Sequence, residues 1–172
     1  MSRRSRGPRR RFRAGGDAGF GARLRDRTPV LVSAAPAALD LPTLMSCAIA
    51  DRLARFDEAV VQPAARRLLG APVIRIEHFG TFACRMESDG RRRLSEHASG
   101  KAIDVAGFVL ADGRRIRVVD DRRRRDQRGA FLRDVARRAC GYFSVVLTPG
   151  SDAAHRSHVH LDIGPYRLCG AP

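Results

Sequence analysis

The sequence lacks any long apolar run, and none of its segments approaches the roughly 18 to 20 consecutive apolar residues that span a bilayer. It has no internal repeat, and its cysteines form no CxxC unit, which argues against a structural zinc knuckle. Lysine is almost missing, since Lys101 is the single lysine among 33 basic residues. With 172 residues, the chain is long enough for one domain with a real core and too short for two of typical size. We therefore expect one domain without a transmembrane segment.

Positive charge is what the sequence has in excess, with a formal net charge of +15. Residues 1–28 carry ten arginines against Asp17 and Asp26, with little hydrophobicity, so they are predicted to form a disordered basic arm ahead of a domain at 29–172. A second arginine run, 122–125, is predicted to lie in a loop. Both blocks suit either attraction to a polyanion or simple solvation. No stacking aromatics or nucleic-acid motif accompany them, so no nucleic-acid partner is expected.

The amino terminus resembles an export signal only in part. Residues 9–12 (RRRF) have a twin-arginine look, but residues 14–17 (AGGD) and further arginines follow instead of an apolar run. No complete signal peptide is therefore visible in the sequence as written.

The four cysteines are even in number and widely spaced: Cys47, Cys84, Cys140 and Cys169. This pattern suits two disulfides and an oxidising compartment, which favours a periplasmic or extracellular protein. The alternative is four buried thiols in a cytosolic protein.

A helical pattern precedes a series of strand patterns. Residues 29–41 are predicted to be an extended lead-in. Apolar residues then recur at three- and four-residue steps from Leu44 to Val60, which predicts a helix capped by Asp40 or Thr43 and broken near Pro63. Strands are predicted at 73–79, 103–110, 115–119, 143–147 and 158–163, a hairpin turn at 111–113 and a second long helix at 129–140. The predicted fold class is α+β, with a small, mainly antiparallel sheet and flanking helices.

Two short segments, 95–104 and 155–160, hold four of the five histidines. The first has the pattern S-x-H-x-x-G-x-A-x-D, in which His97 can curl back over Gly100 toward Asp104. In the second, His158 and His160 point to the same side of a strand, so one can bind a metal while the other lies beside it. Catalytic zinc takes three protein ligands of this kind and leaves a fourth position open. The sequence therefore predicts a metal site, whereas His78, which has no motif around it, is predicted to be structural.

These segments resemble known families. The pattern at 95–104 resembles the signature of the LAS zinc metallopeptidases, which include D-Ala-D-Ala peptidases and murein endopeptidases and share their fold with the hedgehog signalling domain. A closer resemblance, over residues 35–170, is to the bacterial extensin-like C-terminal domain. The stretches that carry it are 61–66 (VQPAAR), 83–85 (ACR), 94–97 (LSEH), 102–105 (AIDV), 110–114 (LADGR), 146–152 (VLTPGSD) and 158–162 (HVHLD).

The resemblance implies a LAS/hedgehog-like fold and a zinc ion with three ligands, His97, Asp104 and His160. It implies that His158 is the general base or transition-state stabiliser. Arg85 matches an arginine that would bind a substrate carbonyl or carboxylate, although it could equally be a surface arginine. For Asp152 and His155 two roles stay open: they could orient the ligands or shape the loop.

The implied function is zinc-dependent hydrolysis of peptide bonds in the stem peptides of bacterial peptidoglycan, as in D,D- or L,D-peptidases. The alternative is a non-catalytic, zinc-stabilised module that binds cell wall or protein, since the hedgehog site is chiefly a recognition surface. Order along the chain and expected proximity suggest the disulfides Cys47–Cys84 and Cys140–Cys169.

Overall fold

The computed structural model describes residues 12–14, 29–84, 86 and 94–170 of the chain. Nine strands of this part form one sheet. They are β1 (Phe12–Ala14), β2 (Pro29–Ala35), β3 (Ala37–Ser46), β4 (Val73–His78), β5 (Ala102–Leu110), β6 (Arg115–Arg117), β7 (Val145–Leu147), β8 (Val159–Asp162) and β9 (Leu168–Cys169).

The strand order is β1-β2-β3-β4-β5-β8-β7-β9, and β6 pairs with the second half of β5. Among the described strands, the β3–β4 and β7–β9 pairs are parallel and the other pairs are antiparallel. With the helices below, this sheet confirms the α+β class with mainly antiparallel pairing.

The described part of the chain has four α-helices. They are α1 (Cys47–Phe56), α2 (Gln62–Leu69), the short α3 (Val118–Asp121) and α4 (Gln127–Ala139), with a π-helical turn at Asp57–Val61 between α1 and α2. Asp126 begins α4, because its carboxylate accepts from the backbone N–H groups of Arg128 and Gly129. Gly70 ends α2 with a φ of 74°, a left-handed conformation in which a residue with a side chain would be strained. In the described part of the chain, no helix is long and apolar enough to cross a membrane.

The predicted start of the first helix was wrong. Residues 29–41, predicted to be an extended lead-in, are extended but belong to the β2–β3 hairpin, which continues to Ser46. Ser46 caps α1 by accepting from the Ile49 N–H. The two residues predicted to cap the helix, Asp40 and Thr43, instead make hydrogen bonds with residues that are distant in the sequence. Asp40 accepts from the His78 N–H at 3.3 Å, and Thr43 Oγ1 lies 2.6 Å from Thr81 Oγ1. These contacts between distant parts of the chain override the local preference for a helix cap.

Two further segments have a different secondary structure from the one predicted, while the bounds of the other predicted elements shift by one or two residues. The strand predicted at 115–119 ends at Arg117, because the buried Asp121 carboxylate accepts from the Arg117 N–H at 2.9 Å and the chain turns into α3. Within the predicted basic arm, residues 12–14 form β1 on the edge of β2, while residues 1–11 and 15–28 lie outside the described part.

The register of β5 and β8 decides which side chains face the helices. Val105 lies opposite Val159, and Leu161 follows two residues later on β8. These three side chains line an apolar cavity together with Leu53 of α1 and Leu132 of α4. Since neighbouring residues of a strand point to opposite faces, residues 104 and 160 project from the face away from the helices.

One predicted disulfide is confirmed. Cys140, just after α4, is bonded to Cys169 of β9 and so holds that two-residue strand against the body of the domain. A bridge across a separation of 29 residues stabilises a domain by about 2 to 4 kcal/mol. The second predicted pair differs, because Cys47 and Cys84 are both exposed and are not bonded to each other. Cys47 lies in the first turn of α1. Cys84 follows Ala83, whose backbone N–H donates to the carbonyl of residue 97.

Asp57 is a fully buried carboxyl that joins the helices to the sheet. Its Oδ2 accepts from the Ala37 N–H at 2.7 Å, and its Oδ1 accepts from Gln62 Nε2 at 2.9 Å. Gln62 Nε2 also donates to the Val73 carbonyl. Burial is the largest influence on this carboxyl and raises its pKa to about 6, despite these hydrogen bonds.

We expect Asp57 to make the stability of the domain depend on pH. Its pKa is higher in the folded chain than the value of about 4 in an unfolded one, so the folded state binds more protons between these values. The free energy of unfolding should therefore fall by about 3 kcal/mol as the pH rises from about 4 to about 7. Urea unfolding of the wild type and of Asp57→Asn across this range measures the effect. Equal pH slopes in the two proteins would contradict it.

Candidate metal centre

Three predicted ligands meet in one buried cluster: His97, Asp104 and His160. The His97 Nε2 atom lies 3.1 Å from Asp104 Oδ1 and 3.1 Å from His160 Nδ1. The distance from His160 Nδ1 to Asp104 Oδ1 is 2.9 Å. The structure thus brings together, from three separate elements, the three side chains that the family resemblance implied as ligands.

Local structure places each of these side chains. Asp104 of β5 lies directly opposite His160 of β8 in the sheet register. His97 comes from the 3₁₀ turn Glu96–Ser99, which begins where the Ser95 hydroxyl accepts from the His97 N–H. Gly100 ends the turn with a φ of 64°, a left-handed conformation that glycine adopts without strain. The chain therefore curls back over Gly100, as the sequence predicted.

Hydrogen bonds fix which ring nitrogen of each histidine faces the centre. His97 Nδ1 lies 3.1 Å from the Thr81 carbonyl, which can only accept, so this nitrogen carries the hydrogen. His160 Nε2 lies 2.9 Å from Asp162 Oδ2 and donates to that carboxylate. In their neutral forms, both histidines therefore turn a lone pair toward Asp104.

This arrangement fits a metal ion. Two imidazole lone pairs and a carboxylate oxygen at mutual distances near 3 Å repel one another unless a cation lies between them. Ligand atoms bound tetrahedrally at 2.0 to 2.1 Å are about 3.3 Å apart, close to the spacing here. The cluster could therefore hold one metal ion.

The electrostatics show the same preference for positive charge. Burial alone would raise the pKa of Asp104, but hydrogen bonds and charges from His160 and His97 hold that pKa far below its usual range. Burial would lower the pKa of His160, but Asp104 and Asp162 raise it to about 9. Without an ion the cluster retains a proton, which a metal would displace on binding.

His158 lies beside the cluster, on the same side of the strand as His160. Its Nε2 is 3.5 Å from Asp104 Oδ1, and its Nδ1 is 3.5 Å from Ser157 Oγ. Burial lowers the pKa of the imidazole, and this outweighs the opposing charge of Asp104. His158 is therefore neutral near pH 7 and can accept a proton.

Asp152 and His155 belong to a 3₁₀ turn, Ala153–His155, beside the centre. The Asp152 carboxylate accepts from the N–H groups of Ala154 and His155 and lies 2.7 Å from His155 Nδ1. The His155 ring contacts those of His158 and His160, with centroids 5.2 and 5.8 Å away. Asp152 therefore shapes the loop, and His155 reaches the centre through ring packing.

The last two predicted residues are Arg85, predicted to bind substrate, and His78, predicted to be structural. Arg85 lies outside the described residues, so its role stays a prediction. His78 is buried, and its Nε2 lies 3.0 Å from the Leu41 carbonyl and 3.3 Å from Asp40 Oδ1. These contacts join β4 to β3, in keeping with the structural role predicted for His78.

Sequence analysis gave no role to Asp162 or Thr81, although both orient a ligand. The buried Asp162 carboxylate holds His160 through Oδ2 and accepts from the Gly164 N–H through Oδ1 at 2.8 Å. The signal for Asp162 was present, because it follows His160 by two residues in a strand and so shares its face. Thr81 acts through its carbonyl, which no side-chain pattern reveals.

Asp162→Asn should weaken metal binding while the fold is kept. The amide lacks the negative charge and offers a single oxygen for the two donors, so His160 is held less firmly. Loss of such a partner typically costs 10- to 100-fold in metal affinity. Competition with a chelating dye measures zinc affinity, with Asp112→Asn in the exposed hairpin turn as the control. Equal affinities of both variants and the wild type would refute this role for Asp162.

The fold and the site together define a class of protein: an α+β domain with a buried His-Asp-His cluster that could hold a metal ion. A family model described as "Extensin-like protein C-terminus" matches residues 9–170, and the chain therefore belongs to this family. The match confirms the resemblance to the extensin-like domain and begins within the predicted basic arm. Searches of curated proteins and of solved structures found no match to the chain.

Proposed function

We propose that this protein is a zinc-dependent hydrolase of the LAS metallopeptidase type, which cleaves peptide bonds in the stem peptides of bacterial peptidoglycan. The observation that carries the proposal is the pair of histidine lone pairs facing Asp104, with His158 next to them. A purely structural zinc site is usually closed by four protein ligands. Here three converge, and the fourth neighbour is a neutral base.

The donor set favours zinc. Two imidazole nitrogens and one carboxylate oxygen are typical ligands of catalytic zinc sites, whereas Mg²⁺ and Ca²⁺ prefer oxygen alone. When bound, zinc would polarise the scissile carbonyl and make water a stronger acid. Asp162 and the Thr81 carbonyl would hold His160 and His97 in place for it.

His158 is the proposed proton carrier. Its Nε2 faces Asp104 at 3.5 Å, and burial keeps the ring neutral near pH 7 by lowering its pKa. The neutral imidazole can take the proton of the attacking water at its unprotonated nitrogen and then give it to the leaving amine. Arg85, by resemblance, would bind the substrate carbonyl or carboxylate.

A cell-wall substrate requires a periplasmic or extracellular protein, and the Cys140–Cys169 disulfide suits the oxidising conditions found there. The proposal is tested by digesting purified peptidoglycan with zinc-loaded protein and identifying the products by mass spectrometry. We expect new peptide termini that disappear when zinc is removed with a chelator and return when zinc is restored. Intact peptidoglycan after treatment with the loaded protein would contradict the proposal.

A further inference from the structure

The last residues of β3 are hydrogen-bonded to two segments that hold His97. The Ser46 N–H donates to the Gly100 carbonyl at 2.9 Å, and Gly100 ends the turn that carries this ligand. The Leu44 carbonyl accepts from the Thr81 hydroxyl at 2.6 Å, and the Thr81 carbonyl lies 3.1 Å from His97 Nδ1. The end of β3 is therefore connected to one of the ligands by two routes.

Two threonine hydroxyls form a chain of hydrogen bonds on the second route. The Thr81 hydroxyl has one hydrogen and gives it to the Leu44 carbonyl, because a carbonyl can only accept. Thr43 Oγ1 lies 2.6 Å from Thr81 Oγ1, so the Thr43 hydroxyl donates to Thr81. Consecutive hydrogen bonds of this kind strengthen one another. Thr81 is 1% exposed, so water hardly competes with the chain.

The position of Thr81 depends on these side-chain bonds. Strand β4 ends at His78, so Thr81 lies beyond the strand and is not held by its ladder. The neighbouring residues are attached to the centre, since the Asp104 N–H donates to the Gly80 carbonyl and the Ala83 N–H donates to the His97 carbonyl. A shift of Thr81 would therefore move the carbonyl that orients the ring of His97.

We propose that Thr43 and Thr81 are positioning residues for the metal: their hydroxyls fix the Thr81 carbonyl, which keeps His97 Nε2 directed at the centre. The inference rests on the part of the proposed function that assigns zinc to His97, Asp104 and His160, and it does not depend on hydrolysis. Neither hydroxyl touches the ligands, so each acts on the metal through the Thr81 carbonyl and the ring of His97.

The test measures zinc affinity of the full-length protein by competition with a chelating dye. Thr81→Val keeps the shape of the side chain but loses both hydroxyl bonds, so its affinity should fall by roughly 10-fold, at the low end of what loss of an outer partner costs. Thr43→Val should cause a smaller loss, because Thr81 still donates to Leu44. Thr81→Ser retains the hydroxyl and should bind zinc almost as tightly as the wild type.

The control for a general loss of stability is Gln62→Met, which removes buried hydrogen bonds to Asp57 and to the Val73 carbonyl. It should bind zinc like the wild type. The visible spectrum of the Co²⁺-loaded proteins adds a readout of coordination geometry. The spectrum should change in Thr81→Val and be the same as in the wild type for Thr81→Ser and Gln62→Met.

The positioning role is overturned if Thr81→Val has the zinc affinity and the Co²⁺ spectrum of the wild type. It is also overturned if Gln62→Met or Thr81→Ser shows the same losses as Thr81→Val. A wild type that binds no zinc would overturn this inference together with the metal assignment. If zinc binding depends on the Thr81 hydroxyl but no peptidoglycan is cleaved, the positioning role stands and the proposed hydrolase activity fails.

Discussion

Replacing His97 or Asp104 with alanine should remove the metal from the protein. Purified wild type should carry about one zinc per chain, as expected for a site with three converging ligands. Each substitution leaves two ligands and an empty space, so the loss should exceed the 10- to 100-fold that is typical when an outer hydrogen-bond partner is lost. Elemental analysis after dialysis against a weak chelator gives the zinc content.

The control for this experiment is Asp112→Ala, which removes an exposed carboxylate from the β5–β6 turn. It should retain the zinc content of the wild type, and circular dichroism should show that all variants are folded. Full zinc occupancy in both His97→Ala and Asp104→Ala would refute the assignment of the site.

The ligand segments could be predicted because their geometry is local. The alternation of an extended chain predicts that His158, directly before β8, and His160 lie on the same side, and a glycine at position 100 allows the turn that returns His97. The sequence does not show that Asp104 stands opposite His160, because this follows from the pairing of β5 with β8. The resemblance to a family supplied that step, and the register now gives its physical basis.

The fold was predictable where elements are long and periodic, as in Val73–His78, Ala102–Leu110 and Gln127–Ala139. It was not predictable where contacts between distant residues decide the structure. The Ala- and Pro-rich β2–β3 hairpin has weak local preferences, and Asp40 and Thr43 find partners on the chain after residue 77. The two-residue strand β9 exists through its pairing with β7 and the Cys140–Cys169 disulfide.

The cluster of ligands alone does not separate an enzyme from a zinc-stabilised binding module, because both would use the same three side chains. The distinguishing group is His158. Hydrolysis needs a proton carrier beside the metal, and the proposed one is His158, whose Nε2 lies 3.5 Å from Asp104 Oδ1, whereas a binding module does not require such a group. Its substitution is therefore the most direct test of catalysis.

His158→Ala should keep its zinc and its fold but lose hydrolysis of muropeptides. Removing a general acid–base group typically lowers the rate by roughly 100- to 10,000-fold, while the three ligands remain in place. His160→Ala should lose both zinc and activity, because it removes a ligand. Zinc content and the rate of product formation, measured on the same preparations, separate the two effects.

The opposite results would each identify another function. If zinc-loaded wild type cleaves no peptidoglycan but binds it, with an affinity unchanged in His158→Ala, the protein is a binding module and His158 has no catalytic role. If deletion of residues 1–28 abolishes every activity while zinc removal changes nothing, the arginines of that segment carry the function through attraction to a polyanion. Hydrolysis that depends on both zinc and His158, and survives the deletion, is the outcome that the geometry of the centre leads us to expect.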